Sequence, residues 1–223
     1  MSIGIYILLF CSMFAVSTSP LIARYLNHLD PIAIAFWRMM IGSIIMHTFS
    51  IFYKGKKTLS KKNSILTVSA GILLGLHFAL FYSSISLLPN NIVNATVFGT
   101  LAPLFALIIE IYFGRKIKMN LVLGLIIVLT GSFIMFISDF SFDSHLMQGN
   151  LLAVTCSICF AIVFIISDKV RKEESAVNFS KFLFTYATLI LFIISIILDI
   201  NLFSFSNHDF WYLLFLGVVP TII

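Results

Sequence analysis

Charge is what this sequence has least of. Charged residues make up 10% of the 223 positions and hydrophobic ones 60%, against about 25% charged in an ordinary soluble domain. That shortage excludes a water-soluble core. The apolar residues run continuously rather than alternating, which excludes a closed membrane β-barrel. An open sheet would leave backbone groups unsatisfied in lipid. Chemical signatures are scarce too. There is no H-E-x-x-H metal motif and no G-x-x-x-x-G-K-[ST] loop to cradle a nucleotide. Only three cysteines occur. Cys11 stands alone, and Cys156 and Cys159 have C-x-x-C spacing inside an apolar run without histidine partners, which reads as packing. Neither a metal nor a cofactor is expected.

What is present is long apolar runs, with 24 phenylalanines scattered through them. They cover 3–23, 33–53, 65–88, 92–113, 121–138, 150–168 and 179–200, with an eighth beginning at Phe210. A bilayer core of ~30 Å needs about 20 apolar residues in helix, so seven runs are expected to span. The eighth, from Phe210 to Ile223, gives only about 21 Å of helix and is expected to be part of a span. The expected fold class is all-α, a polytopic membrane helix bundle. Met1-Ser2-Ile3-Gly4 has no basic residue and Ser17-Thr18-Ser19-Pro20 lacks a small-x-small pattern, so the first run reads as a retained span, not a cleaved signal.

The net charge of +5 is unevenly placed. Lys54, Lys56, Lys57, Lys61 and Lys62 follow the second run, Arg115, Lys116 and Lys118 the fourth, and Lys169, Arg171, Lys172 and Lys181 flank the sixth-to-seventh connection. The intervening loops hold Asp30, Asp139, Asp143, Asp199 and Asp209, with Arg24 the one cation. Twelve of the fourteen basic residues therefore lie on one side, which the positive-inside rule makes cytoplasmic. The expectation is a multi-pass protein of the cell inner or plasma membrane with a cytoplasmic N-terminus. The same clusters suit anionic lipid heads. Nucleic acid is not an expected partner.

The chain repeats itself at a spacing of 146 residues, as from Gly71 to Gly217. Phe14-Ala15 align with Phe160-Ala161, Phe36 with Phe182, Ile44 with Ile190 and Ile51 with Ile197. Runs one to three fall on runs six to eight without a gap. Five spans, an odd number, separate the halves, so the second is inverted, as in secondary transporters with a substrate site at the repeat interface. The expected units are residues 1–146 and 147–223, the second incomplete. A duplicated helical scaffold without transport is the plainer alternative.

Local residues carry a family resemblance. Phe14-Ala15-Val16 before Ser17-Thr18-Ser19-Pro20, then Asp30-Pro31 followed by Phe36-Trp37-Arg38, resemble the first two helices of the drug/metabolite transporter superfamily in its EamA-like branch. Gly71 to Leu88, Asn94 through Pro103-Leu104-Phe105, Gly124 with Gly131, and Gly149 to Lys172 resemble the helices that follow. The family often ends its fourth helix with Gly-Glu-Arg, where this chain has Phe113-Gly114-Arg115-Lys116 with Glu110 the nearby acid. The resemblance implies ten helices in a 5+5 inverted repeat, here with the second repeat truncated. It implies a permease or exporter of small metabolites working by alternating access. Expected partners are the bilayer, a small-molecule metabolite and, as a candidate, a second copy in a homodimer. On the truncation reading the chain alone inserts, is poorly stable and does not transport.

Ionisable groups inside spans are costly and so invite functional readings. Arg38, about 7–8 Å into the second run, either attracts an anionic or carbonyl-bearing substrate or snorkels and binds orphan carbonyls. His77, mid-run, either relays protons or bonds a serine or carbonyl. His47 shares a stripe with Ser43 and Ser50, a face expected to point into the bundle. Glu110, on a face with Gly99, Ala102, Pro103 and Ala106, is either an ion pair with Arg115 or Lys116 or a coupling carboxylate. Gly71 and Gly75 form a G-x-x-x-G suited to close helix packing. Trp37, Phe78, Tyr82, Ser83, Asn94, Thr96 and Thr100 fall in the outer half of runs two to four. Pro103 is expected to bend the fourth and open a carbonyl to a ligand. Substrate-binding candidates are thus Arg38, Trp37, His77, Phe78, Tyr82, Asn94, Thr100 and Pro103. Glu110 and His47 are coupling or structural candidates.

Two other classes remain in view: a nonfunctional transporter remnant and, ranked below it, an intramembrane enzyme. The aspartates lie at span ends or in loops, which does not suit intramembrane hydrolysis.

Overall fold

A computed structural model of the chain describes residues 3–53, 58–88, 90–114, 119–138 and 144–222. The basic residues Lys54, Lys56, Lys57, Arg115, Lys116 and Lys118 and the acidic Asp139 and Asp143 lie outside the described residues. All regular elements among the described residues are helices: α1 Ile3–Tyr25, α2 Pro31–Phe52, α3 Lys61–Leu87, α4 Ile92–Gly99, α5 Ala102–Tyr112, α6 Met119–Ser138, α7 Ser144–Val170, α8 Ala176–Ile197 and α9 Asn207–Ile222.

Helix starts follow local side-chain chemistry. Asp30 caps α2, accepting from the Ile32 N–H at 2.8 Å, with Pro31 in the first turn where no amide donor is needed. Ser60 caps α3 through the Asn63 N–H, and Ser175 caps α8 through the Asn178 N–H. Ser206 and Asp209 cap α9 reciprocally: the Ser206 N–H donates to the Asp209 carboxylate at 2.9 Å and the Asp209 N–H to Ser206 Oγ at 3.2 Å. The end of α8 uses Asp199 at φ 53, and the Ile200 N–H closes back on the Ser195 carbonyl.

Among the described residues, six helical stretches are long and apolar enough to cross a membrane: α1, α2, α3, α4 with α5, α7 and α8. The expected count was seven plus part of an eighth. The difference lies in α6, whose described apolar stretch, Leu121–Ile134, is short, and in α9, of 16 residues.

The fourth run is two helices. Pro103 has no N–H for the Gly99 carbonyl, and the chain breaks between Gly99 and Ala102. Beside the break the Phe98 carbonyl accepts from the Leu101 N–H at 3.4 Å and from Ser157 Oγ of α7 at 2.5 Å. A neighbouring helix thus supplies a donor there, as irregular backbone in lipid requires. In α9, Pro220 likewise leaves the Leu216 carbonyl without its amide donor, and the Thr221 hydroxyl donates there at 2.9 Å. Helix α9 accordingly continues through its proline.

Packing is built around α2, α3 and α8. Helix α3 lies against α7 and α8, α2 against α8 and α9, and α1 against α9. Close approach depends on small residues. A Cβ on Gly71 would collide with Tyr186 and the backbone at Leu183 and Ala187, and one on Gly75 with Ile190 and Ala187. A Cβ on Gly217 would lie 2.5 Å from Ile41. The expected tight packing of the G-x-x-x-G is thus seen, and α8 is the partner. By contrast α1 and α6 expose long apolar side chains such as Phe10, Phe14, Ile127 and Phe133 along their flanks. In a protein of this composition such faces meet lipid.

Candidate functional site

Four helices converge on Arg38. Its position follows from the Asp30 cap, which starts α2 two turns earlier and sets which way residue 38 faces. Only 4% of the residue is accessible. One terminal nitrogen, Nη1, donates to Ser19 Oγ of α1 at 2.7 Å and to the Tyr82 hydroxyl of α3 at 2.8 Å. Nε donates to Thr221 Oγ1 at 3.0 Å and Nη2 to the Pro220 carbonyl at 3.2 Å, both in α9. The guanidinium carbon lies 4.2 Å above the Phe78 ring. Every one of these partners is neutral. Three hydroxyls, a carbonyl and a π-face solvate the cation in place of water, and no carboxylate among the described residues is paired with it.

The side chain is buried rather than reaching outward, and it binds a carbonyl near a helix end. It sits at the junction of α1, α2, α3 and α9. An anionic or carbonyl group entering there would exchange neutral partners for a charge-assisted bidentate bond.

The other candidates separate into groups. Phe78 and Tyr82 join Arg38 directly. His77 is one helix step away but faces α7: Nδ1 lies 2.9 Å from the Cys156 carbonyl, and the ring stacks on Phe160 at 4.3 Å. Since a carbonyl only accepts, Nδ1 carries the proton. This is the carbonyl-bonded arrangement, with Phe78 and Phe81 also against the ring. Trp37 points away from Arg38, donating from Nε1 to the Leu202 carbonyl at 2.7 Å and packing edge-on against Phe203 and Phe205. It anchors the α8–α9 connection. Asn94 is buried on α4, while Thr100 is exposed at the break, its hydroxyl bonded to the Val97 carbonyl.

Pro103 and Glu110 line a different feature, a lateral cleft of about 280 Å³ between α5 and α7 shared with Ala106, Leu107, Phe164, Ile165 and Asp168. Gly99, before the break, lies against Phe81 of α3 and Cys156 of α7. The proposed partners of Glu110, Arg115 and Lys116, are outside the described residues. On α2, Ser43 and Ser50 do face α8, bonded to Thr185 Oγ1 at 3.0 Å and to the Lys181 ammonium at 3.3 Å. His47 does not follow them. It is exposed, with Nδ1 on the Ser43 carbonyl of its own helix. Lys181, counted by sequence with the flanking cations, is buried within α8.

Sequence reasoning missed Ser19 and Thr221 as site residues. Ser19 lay inside a quoted Ser-Thr-Ser-Pro stretch, and Thr221 follows a proline. Both were visible as small hydroxyls next to a helix-perturbing residue. Their shared target was not, since they are 202 positions apart.

Comparison with known proteins gives three results. Residues 2–137 and 147–223 match the model of the EamA-like transporter family. No curated protein matches the chain. A solved crystal structure superposes with a TM-score of 0.65 at 16% identity, over 94% of this chain and 75% of that one. That likeness is one of fold.

Proposed function

The chain belongs to the EamA-like transporter family, within the drug/metabolite transporter superfamily, and from that premise we propose that it is a secondary transporter of small metabolites bearing an anionic or carbonyl group. Arg38 is the binding anchor, with Phe78 and Tyr82 beside it. The observation that carries this reading is a buried guanidinium held, among the described residues, by neutral groups from α1, α2, α3 and α9. A cation so placed is expensive unless a function retains it.

In this reading the units are 1–146 and 147–223, α6 and α9 count as further spans, and α1, α2 and α3 correspond to α7, α8 and α9. The packing supports the correspondence. Exchanging the two sets carries the α2–α8 pair onto itself, α3–α8 onto α2–α9 and α3–α7 onto α1–α9, all of which are packed pairs. Individual contacts follow the same spacing. Gly71 abuts Ala187 and Gly217 abuts Ile41, and both members shift by the 146 residues read from the sequence. Arg38 then sits where the two halves meet, the position expected for a substrate in inverted-repeat transporters. Transport proceeds by alternating access and follows an ion or solute gradient, with the N-terminus cytoplasmic.

The test is uptake into proteoliposomes, with matched anionic and neutral metabolites offered under an imposed gradient. Anionic or carbonyl-bearing solutes should accumulate without ATP. A requirement for ATP with the gradient clamped, or indifference of uptake to solute charge, overturns the reading.

A further inference from the structure

Two side-chain clusters at opposite ends of the bundle are related by the same 146-residue shift, and neither touches Arg38. At one end, His28 in the α1–α2 connection lies with Nε2 3.2 Å from Asp209 Oδ2 in the first turn of α9. Ser206, the cap of α9, donates to the same carboxylate from its N–H and, at 2.8 Å, from its hydroxyl. At the other end, Glu174 in the α7–α8 connection accepts from Asn63 Nδ2 at 3.2 Å and from the Ser60 N–H at 3.0 Å, in the first turn of α3. Glu173 accepts from the same Asn63 amide at 3.0 Å.

Adding 146 to 28, 60 and 63 gives 174, 206 and 209. The loop residue, the helix cap and the third helical residue therefore correspond one for one. The bonding corresponds in place but not in polarity. At the first end the loop imidazole donates to a helix carboxylate. At the second the helix amide donates to loop carboxylates. Each cluster ties a connection of one half to a helix N-terminus of the other half. Asp209, Asn63 and Glu174 are buried, while the His28 side chain is 53% accessible.

We propose that these clusters are a pair of latches, one closing each end of the bundle by joining the α1–α3 half to the α7–α9 half, and that alternating access releases one while the other holds. The proposal rests on the transport reading above. With both latched, Ser19 beside Arg38 is 2% accessible, as an occluded state requires. The halves need no new contacts to rock. One cluster parts together with the helix packing at its own end, and the α2–α8 pair, which exchanges with itself, can serve as the pivot.

The experiment uses the full chain with Cys11, Cys156 and Cys159 replaced and Ser19→Cys as reporter, labelled by a membrane-impermeant maleimide in intact cells and in inverted membrane vesicles. Labelling should be slow from both sides. Asp209→Asn should speed it about three- to tenfold from the side bearing His28 only. Glu174→Gln combined with Glu173→Gln should do so from the opposite side only. His28→Lys, which keeps a cation facing Asp209, should stay slow. His28→Ala leaves the α9 cap intact and should behave as Asp209→Asn does, so instability of the latter does not decide the matter. Unchanged labelling in all variants, or opening on both sides in each, overturns the latches. Uptake is read separately, in the same latch variants with Ser19 retained. A chain that transports solute while its reporter ignores both clusters loses the latches and keeps the transport reading. Side-specific opening without uptake does the reverse.

Discussion

Replacing Arg38 with glutamine separates a substrate anchor from a structural strut. In the wild type the guanidinium makes four hydrogen bonds and one ring contact. Their loss is not simply additive. Ser19 and Tyr82 hydroxyls are 3.2 Å apart and bond one another, and Thr221 already donates to the Leu216 carbonyl. The Pro220 carbonyl alone is left with no described partner, a penalty of about 1–3 kcal/mol. The cation–π contact adds about 2 kcal/mol when desolvated. Against these stands the relief of burying a cation, worth several kcal/mol in its own right. The net change in stability should fall within about 2 kcal/mol, because the charge removed was costly to bury. Binding should respond differently. A charge-assisted bidentate bond to an anionic solute, about 2–4 kcal/mol, is lost with no compensation, lowering its transport on the order of 30- to 1000-fold. A neutral solute should lose far less. The assay is paired: Tm of the purified protein, and uptake of matched anionic and neutral solutes. Equal loss of folded protein and of both activities would refute the reasoning and leave Arg38 as a strut.

Other outcomes follow from the packing and the ends. Gly71→Val should cost more than about 2 kcal/mol, since its Cβ meets the α8 backbone, whereas Gly124→Ala, with open space around it, should leave Tm unchanged or raised. Asp209 is held below the ordinary carboxylate range, chiefly by the Ser206 N–H and further by His28 and the Ser206 hydroxyl. Its stabilisation should be complete above its unfolded pKa of about 3.9 and be lost as pH falls through the lower folded value. Acid titration of Tm should show that loss, flattened in Asp209→Asn. Single cysteines at Lys172 and Asn90 should react with impermeant reagent only from inside and only from outside, respectively, and labelling at 172 from outside would reverse the orientation.

The sequence by itself determined the solvent. Continuous apolar runs with few charges admit only helices in a bilayer, because backbone groups there must bond within their own segment. It also determined the helix starts, through Asp30, Ser60, Ser175 and Ser206, and carried matching residues at a 146-residue shift. Arg38, Phe78 and Tyr82 were legible as candidates, since a charge in an apolar run is conspicuous and residues 78 and 82 are one helical turn apart. What the tertiary structure alone decided was partnership. Trp37 and Arg38 are adjacent in sequence but about 100° apart around a helix, so one anchors a loop and the other a site. His47 and Ser43 share a stripe, yet only Ser43 reaches α8, because the stripe meets its neighbour along part of its width. The partners of His28 and Glu174 belong to the other half of the chain. No local periodicity points to them, and only the packing of helices distant in sequence brings them within bonding distance.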